Sequence, residues 1–170
     1  LIDTHSHLAF EAFAEDRAEV VARARDAGLV GCVAVAVDPA SAREAQDLAQ
    51  KHPGWAHATA GLHPTEDCVD DPSALAEIAE LLEAGGYVAV GETGLDDYHD
   101  RVPLDRQAVA FAGHLDLALH HDLPAVIHCR DAFDPLLEIV EDYGSRGLRG
   151  VLHCFTGDAD QARRLVALGA

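Results

Sequence analysis

The residues with the clearest chemical potential are two histidines near the start of the chain. His5 and His7 are separated by one residue in the segment Leu-Ile-Asp-Thr-His-Ser-His-Leu. Residues two apart on a β-strand point to the same face, so both imidazoles can converge on one point. Imidazole is a common ligand of transition metals. The pair therefore predicts part of a metal-binding site at the end of a strand.

Three further residues that can bind metal close later apolar runs in the same way. Glu92 ends the run Tyr-Val-Ala-Val-Gly-Glu, His128 ends Ala-Val-Ile-His, and His153 ends Val-Leu-His. A valine precedes each of these residues by two positions, which predicts that all three face the inward side of one sheet. Runs that are apolar on both faces are typical of a parallel sheet covered by helices.

Six apolar runs alternate with segments of helical periodicity, which predicts six βα units. Strands are expected near 1–8, 31–37, 56–63, 87–92, 125–129 and 150–155, and helices near 15–27, 40–51, from 71–73 onward, 103–121, 134–143 and 158–168. Strand starts about 30 residues apart are typical of βαβ crossovers and of the TIM (β/α)8 barrel. An open, doubly wound sheet of six strands is the alternative, but ligands from strands one, four, five and six converge most readily around a closed ring.

The length of the chain indicates an incomplete barrel. Eight units would need about 240 residues, whereas the chain has 170. We therefore expect residues 1–170 to form a single TIM-barrel domain with about six βα units, truncated at the C-terminus so that the last two units are missing. The first residue is Leu and the chain has no Met, which indicates that its natural start is missing as well. Open sheet edges beside the first and sixth strands should favour association.

The composition of the chain indicates where the protein is located and which partners it can bind. Hydrophobic residues make up 49% of the chain, but no apolar run is long enough to span a membrane and no signal-like region is visible, which predicts a cytoplasmic protein without a membrane or an obligate protein partner. The four cysteines have no disulfide or metal spacing and are interpreted as buried free thiols. The net charge of −18 opposes general attraction to a polyanion, so nucleic-acid binding would need local cations.

Five segments together resemble the TatD family of metal-dependent deoxyribonucleases. Their order and spacing cover the whole chain: Asp-Thr-His-Ser-His at 3–7, Gly-Leu-His-Pro at 61–64, Gly-Glu-Thr-Gly-Leu-Asp at 91–96, Val-Ile-His-Cys-Arg-Asp-Ala at 126–132 and His-Cys-Phe-Thr-Gly at 153–157. The resemblance implies a TIM barrel, a DNA substrate with single-stranded ends, exonuclease digestion from the 3′ end, and a role in DNA repair or turnover.

The resemblance also implies a site for two divalent metal ions. His5, His7 and Glu92 would bind one ion, while Glu92, His128 and His153 would bind the other, with Glu92 bridging. Mg or Mn is expected in catalysis and Zn as the ion that is most readily retained. A carboxylate can bridge two cations whereas a neutral imidazole offers one lone pair, and two cations can polarise a phosphate oxygen and activate water, so no Ser or Cys nucleophile is needed. The alternative for Glu92 is a solvated acid at a strand end.

The chain departs from the family pattern at three places. The family completes the first metal site with an Asp of a Glu-Thr-Asp motif, which lies beyond this chain. Asp97 stands where an aromatic residue is usual, and Thr65 stands where a second His is common. The missing Asp bears on the activity of the 170-residue chain, and the other two departures bear on substrate preference.

Other candidate residues keep two interpretations each. By the resemblance His63 lines the site and assists the leaving group, or it is a structural histidine bonded to backbone. Arg130 shares the face of His128 and is a phosphate clamp or a structural ion pair. Asp96 and Asp131 orient ligands or cap the following helix. Asp38 is interpreted as a residue that starts a helix, and the remaining histidines are interpreted as surface residues: His52, His57, His99, His114, His120 and His121.

Three classes of function are open on the sequence alone. The first is metal-dependent hydrolysis of DNA phosphodiester bonds from single-stranded 3′ ends, with Glu92, His63 and Arg130 as the catalytic group. The second is a metal-dependent esterase or amidohydrolase, such as a D-aminoacyl-tRNA deacylase or a lactonase. Many amidohydrolases bridge their metals with a modified Lys, but the sole lysine, Lys51, falls on a predicted helix. The third is a metal-poor structural or interaction fragment.

Overall fold

The computed structural model describes residues 1–169 as six parallel strands that alternate with helices. The strands are β1 (Ile2–Ser6), β2 (Gly31–Ala34), β3 (Ala56–Ala60), β4 (Tyr87–Asp96), β5 (Ala125–Arg130) and β6 (Gly150–Leu152). The helices are α1 (Arg17–Asp26), α2 (Pro39–Lys51), α3 (Pro72–Ala84), α4 (Leu104–His120), α5 (Phe133–Gly144) and α6 (Ala159–Ala167), and a short 3₁₀ turn covers Glu11–Phe13.

The strands form one sheet in the order β1-β2-β3-β4-β5-β6, with every neighbouring pair parallel. This sequential order is that of a curled barrel wall and differs from the reversing order of a doubly wound sheet. The six predicted βα units are therefore confirmed, and the doubly wound alternative is wrong. Among residues 1–169, none of the helices combines the length and the apolar character that a membrane span requires.

Aspartate side chains cap the first turns of α2 and α3. The side chain of Asp38 accepts a hydrogen bond from the Ser41 backbone N–H over 2.6 Å, and Pro39 occupies the first turn of α2. Asp71 accepts from the Ser73 N–H over 2.8 Å before Pro72 of α3. Such side chains satisfy backbone donors that the first turn leaves free. The prediction that Asp38 starts a helix is confirmed.

The core has an outer and an inner part. Most buried apolar side chains lie between the sheet and the helices, including Phe111, Leu115 and Ile127, which are all fully buried. A small separate cluster lies on the concave face of the sheet and contains Val33, Val35, Ala89 and Val126. The concave face thus has its own apolar floor beneath the strand ends.

The regular alternation expected for β4 is wrong. Val90 belongs to the outer core, whereas its neighbour Ala89 belongs to the inner cluster. The pairing of β4 with β5 shifts between Val90 and Thr93, so an extra residue enters the strand there. This irregularity, and not a two-residue step from Val90, directs Glu92 inward. It also lets β4 continue to Asp96, four residues beyond the expected end.

Glycines make the irregular strand possible. A Cβ on Gly91 would lie 2.4 Å from the carbonyl oxygen of Val126, and one on Gly61 would lie 2.4 Å from the Cα of Gly91. Gly91 also has φ of +118°, which side chains of L-residues rarely adopt. The backbones of β4, β5 and the segment after β3 therefore approach one another more closely than any side chain would allow.

Two further expectations need correction. Cys32 and Cys129 are buried free thiols, but Cys68 is only half-buried and Cys154 is exposed. Cys154 lies two residues beyond the short strand β6, in the exposed segment that leads to α6. His114 was expected at the surface, yet it is fully buried because it falls on the apolar side of α4.

Candidate metal centre

The buried carboxylate of Glu92 lies among the ends of the strands. Glu92 is 2% exposed, and the rings of five histidines surround its two oxygens. They come from β1 and the residue after it, from the segment that follows β3, from β5 and from the residue after β6: His5, His7, His63, His128 and His153. The structure therefore brings together all five predicted metal ligands, and His63 with them.

The histidines divide between the two carboxylate oxygens. Oε2 of Glu92 lies 3.3 Å from His5 Nε2 and 3.7 Å from His7 Nε2. Oε1 lies 3.2 Å from His128 Nδ1 and 2.5 Å from His153 Nε2. Each oxygen thus faces one of the two predicted ligand groups, which is the arrangement that a bridging carboxylate requires.

The two groups are also in contact with each other. The rings of His5 and His153 stack with centroids 4.0 Å apart. By mutual distance, the donors that could share one ion are His5, Glu92 and His153, and in a second set His63, Glu92 and His128. The second set brings in His63, to which the sequence assigned a role beside the metals.

The donor set fits a cation. Both ring nitrogens of His5 are buried and have no hydrogen-bond partner among residues 1–169, even though Nε2 lies close to Glu92. A buried polar atom without a partner is costly, and a cation would satisfy it. Imidazole nitrogens with one carboxylate suit Zn, Mn, Ni or Fe better than an all-oxygen shell would. The residues present therefore match the metal chemistry predicted from the sequence.

Burial and hydrogen bonding set the charge of this cluster. Burial would raise the pKa of Glu92, but the imidazoles of His128, His153 and His5 outweigh it and hold that pKa well below its ordinary value. Burial lowers the pKa of His7 despite the attraction of Glu92. Burial likewise lowers the pKa of His63 to about 4. Near neutral pH the carboxylate is therefore charged while these two rings are neutral, as metal ligands must be.

Asp96 holds His128 from the side away from Glu92. Its Oδ2 lies 2.9 Å from His128 Nε2, which donates the hydrogen bond and so leaves Nδ1 directed at Glu92. Burial opposes the ionisation of Asp96, but hydrogen bonds from His99 and His128 lower its pKa. Burial also opposes the charging of His128, but Glu92 and Asp96 outweigh it and raise its pKa. Of the two interpretations of Asp96, orientation of a ligand matches this geometry, because α4 begins after Pro103.

His63 and His99 complete the wall of the cavity. Nδ1 of His63 is 2.8 Å from Thr65 Oγ1, and its Nε2 is 3.6 Å from Glu92 Oε1. His99 was expected at the surface, but its Nδ1 lies 3.0 Å from Asp96 Oδ2 and it lines the cavity of about 340 Å³ above Glu92. The signal that the sequence offered for His99 was its position three residues after an Asp at a strand end, which is typical of a turn closed by that side chain.

Arg130, at the end of β5, packs on Tyr98, whose ring contacts His99 of the cavity wall. Its guanidinium carbon is 3.9 Å from the centroid of the Tyr98 ring. Among residues 1–169 it forms no ion pair with a carboxylate, so the structural ion pair considered for it is not observed. Asp131, the next residue, is exposed and has φ of +55°. Lys51 ends α2 and is exposed.

Known proteins are similar in sequence to this chain over almost its whole length. The profile of the TatD related DNase family matches residues 2–170. The chain is 36% identical over 169 residues to the 3′-5′ ssDNA/RNA exonuclease TatD of Pantoea sp. (strain At-9b), covering 99% of this chain and 65% of that protein. It is 34% identical over 168 residues to the uncharacterized metal-dependent hydrolase YabD of Bacillus subtilis (strain 168), covering 99% and 66%.

A solved structure agrees with the fold. The crystal structure of YJJV, a TatD homolog from Escherichia coli K12, superposes with a TM-score of 0.90 at 32% sequence identity, covering 99% of this chain and 65% of that one. The chain thus spans about 65% of the length of these relatives. The TIM-barrel fold expected from the resemblance is confirmed, with six of its βα units present here. From the family match, the identity to curated relatives and the shared fold, the chain belongs to the TatD family of related DNases.

Proposed function

We propose that this chain carries the metal centre of a hydrolase that cleaves phosphodiester bonds of single-stranded DNA from the 3′ end. The observation that carries the proposal is the Glu92 carboxylate, whose two oxygens face two groups of histidines. The printed activity of the Pantoea relative, a 3′-5′ ssDNA/RNA exonuclease, supports the direction of digestion and extends the substrate to RNA. Residues 1–170 are proposed to belong to one domain, which the single six-stranded sheet supports.

Two divalent ions are proposed as the cofactors. His5 and His7 with Glu92 would hold one ion, and His128 and His153 with Glu92 would hold the other. When bound, the ions would polarise a phosphate oxygen and activate water. Mg or Mn is proposed for catalysis and Zn as the ion that is most readily retained.

The side chains of the chain have distinct tasks in this proposal. Glu92 and the four histidines fix the position of the reacting phosphate. His63 has a pKa near 4, so its ring is neutral at pH 7 and is better suited to accept a proton or to bind a cation than to donate a proton to a leaving group. Arg130 supplies a positive charge at the rim that no carboxylate of the described residues neutralises. The cytoplasmic location and the role in DNA repair stay predictions.

A substrate screen tests the proposed activity. The intact protein loaded with Mg²⁺ or Mn²⁺ should shorten 5′-labelled single-stranded DNA and RNA stepwise from the 3′ end, as seen on a sequencing gel. Chelation by EDTA should stop the reaction and added Mn²⁺ should restore it. Duplex DNA serves as the control, since its ends are less accessible to the cavity. Hydrolysis of carboxylic esters or lactones without any shortening of oligonucleotides would favour the esterase or amidohydrolase alternative instead.

Asp96→Asn tests the support of the metal ligands. The carboxylate of Asp96 accepts a hydrogen bond from His128 Nε2, and a neutral amide would accept it more weakly. Metal affinity should therefore fall about 10- to 100-fold. Isothermal titration of the metal-free protein with Zn²⁺ measures this change. Asp97→Asn is the matched control, because Asp97 is the adjacent acid but is exposed. Equal affinities for the Asp96 variant and the wild type would show that Asp96 serves only to hold the loop.

A further inference from the structure

The mouth of the cavity has two chemically different sides. On the side of β1 to β3, a groove of about 690 Å³ adjoins the cavity, and its walls carry four carboxylates: Glu11, Asp38, Glu44 and Glu66. Arg17 also lines this groove, but its guanidinium group pairs with Glu44. Phosphates would meet repulsion there, and the net charge of −18 adds to it.

The opposite side carries aromatic rings and a cation. We call this side the aromatic rim and define it by four residues that lie at or shortly after the ends of β4, β5 and β6, the third of them at the start of α5: Tyr98, Arg130, Phe133 and Phe155. Tyr98 is 58% exposed and Phe155 is 38% exposed. Phe133 and Phe155 contact each other edge to face, with ring centroids 5.2 Å apart. The rim therefore presents apolar ring surface to solvent beside the metal centre.

Arg130 is one of three arginines, with Arg25 and Arg101, that form no ion pair with a carboxylate among residues 1–169. Eight of the eleven arginines form ion pairs with carboxylates, and all eight lie outside the aromatic rim: Arg17, Arg23, Arg43, Arg106, Arg146, Arg149, Arg163 and Arg164. Arg130 instead stacks on one face of Tyr98, at 3.9 Å. Its charge is therefore not taken up by a carboxylate of residues 1–169 and remains available to a ligand beside the metal centre.

Tyr98 is held in place by the same residue that supports the metal centre. The backbone N–H groups of Tyr98 and His99 donate to Asp96 Oδ1 over 3.0 and 2.8 Å. Asp96 Oδ2 in turn accepts from His128. The ring of His99 lies edge-on to Tyr98 at 4.9 Å. The exposed ring is therefore fixed relative to Glu92 through a buried carboxylate, and little order would be lost on binding a ligand there.

We propose that Tyr98, backed by Arg130, is a stacking platform for a nucleobase of the strand whose scissile phosphate lies at Glu92. The proposal rests on the proposed function and names the binding surface that function requires. Stacking on an aromatic ring tolerates any base and does not need a positive field, which suits an acidic protein. Arg130 adds a cation over the same ring and can also contact a neighbouring phosphate. Bases in a duplex are covered by their neighbours, so the platform would favour single strands.

Kinetics on two phosphodiesters test the platform. For Tyr98→Ala in the intact, Mn²⁺-loaded protein, the ratio of kcat/KM for an oligothymidylate to kcat/KM for bis(p-nitrophenyl) phosphate should fall about tenfold, mainly through KM. Tyr98→Phe keeps the ring and should restore the ratio. Arg130→Ala should lower it as well. Arg25→Ala is the matched control, because Arg25 also stacks on an aromatic ring, Trp55, but at the opposite end of the strands.

Fluorescence separates the platform from the nuclease activity. An oligonucleotide with 2-aminopurine near its 3′ end should be quenched by the metal-free wild type and by Tyr98→Phe, but clearly less by Tyr98→Ala. If the wild type cleaves oligonucleotides and Tyr98→Ala has an unchanged ratio and unchanged quenching, the platform is refuted while the proposed function stands. If the wild type quenches the probe through Tyr98 but cleaves no oligonucleotide, the platform is supported and the nuclease proposal fails.

Discussion

Glu92→Ala is expected to abolish binding of both metal ions and with it hydrolysis. Its carboxylate contacts the histidines near β1 and those near the ends of β5 and β6 at once, so its removal takes the shared anionic ligand from both groups. Removing a residue that only supports a metal ligand typically lowers metal affinity about 10- to 100-fold. Because Glu92 is itself a proposed ligand, its removal should lower metal affinity by about 100-fold or more. Metal content after dialysis, measured by mass spectrometry, is the direct readout.

Two variants give this experiment its control. His128→Ala removes a ligand from one side of the carboxylate only, so one equivalent of metal should be retained more firmly than the other. Glu66→Gln removes the charge of another acid that lines the same cavity, and it should leave metal content as in the wild type. Retention of one full equivalent in Glu92→Ala would contradict the bridging role.

The stability of the fold should fall in acid because of His114. This ring is fully buried, with Nε2 accepting from the Leu62 N–H over 3.0 Å and Nδ1 donating to the Ala110 carbonyl over 2.7 Å. Burial lowers its pKa from 6.5 to about 4. Below pH 6.5 the unfolded chain gains a proton that the folded chain does not accept until about pH 4. The neutral His114 ring therefore contributes its full stabilisation above pH 6.5. As the pH falls from 6.5 to 4, the free energy of unfolding should decrease by about 3 kcal/mol on account of this residue.

The comparison with His114→Gln isolates this contribution. The glutamine side chain can accept the hydrogen bond from the Leu62 N–H but does not titrate. The free energy of unfolding of the variant should therefore decline less steeply between pH 6.5 and 4 than that of the wild type. Urea unfolding of both proteins in EDTA keeps metal release out of the comparison. Parallel declines in the two proteins would show that protonation of His114 does not limit acid stability.

The metal ligands were predicted from the sequence more accurately than the conformation of β4, the strand that carries Glu92. His5, His128 and His153 end short apolar runs, and the periodicity of a strand was enough to place them on one edge of the sheet. Glu92 was assigned correctly to that edge, but for a reason that the structure does not support, because Val90 points to the helices. The pairing shift depends on glycines of neighbouring strands approaching one another, which no periodicity within β4 reveals.

Two histidines show the limits of assigning exposure by residue type. His114 was interpreted as a surface residue, although it follows Ala110 and Phe111 at the spacing of a buried helix face. His99 was treated in the same way, although it follows Asp96 closely enough to bond with it. In both cases a polar side chain finds its partner inside the fold: His114 accepts from the Leu62 backbone N–H, and His99 bonds to the Asp96 carboxylate.

The close approach at Gly91 has a consequence for which ions the centre can use. A Cβ there would lie 2.4 Å from the Val126 carbonyl, so the main chain beside Glu92 has no room to shift when the size of the ion changes. Adaptation to a larger or smaller ion must then come from rotation of the side chains, each within its own rotamers. Ions that demand a different ligand spacing should therefore be bound more weakly. The packing of the backbone at Gly91 would therefore contribute to the selectivity of the site among metal ions.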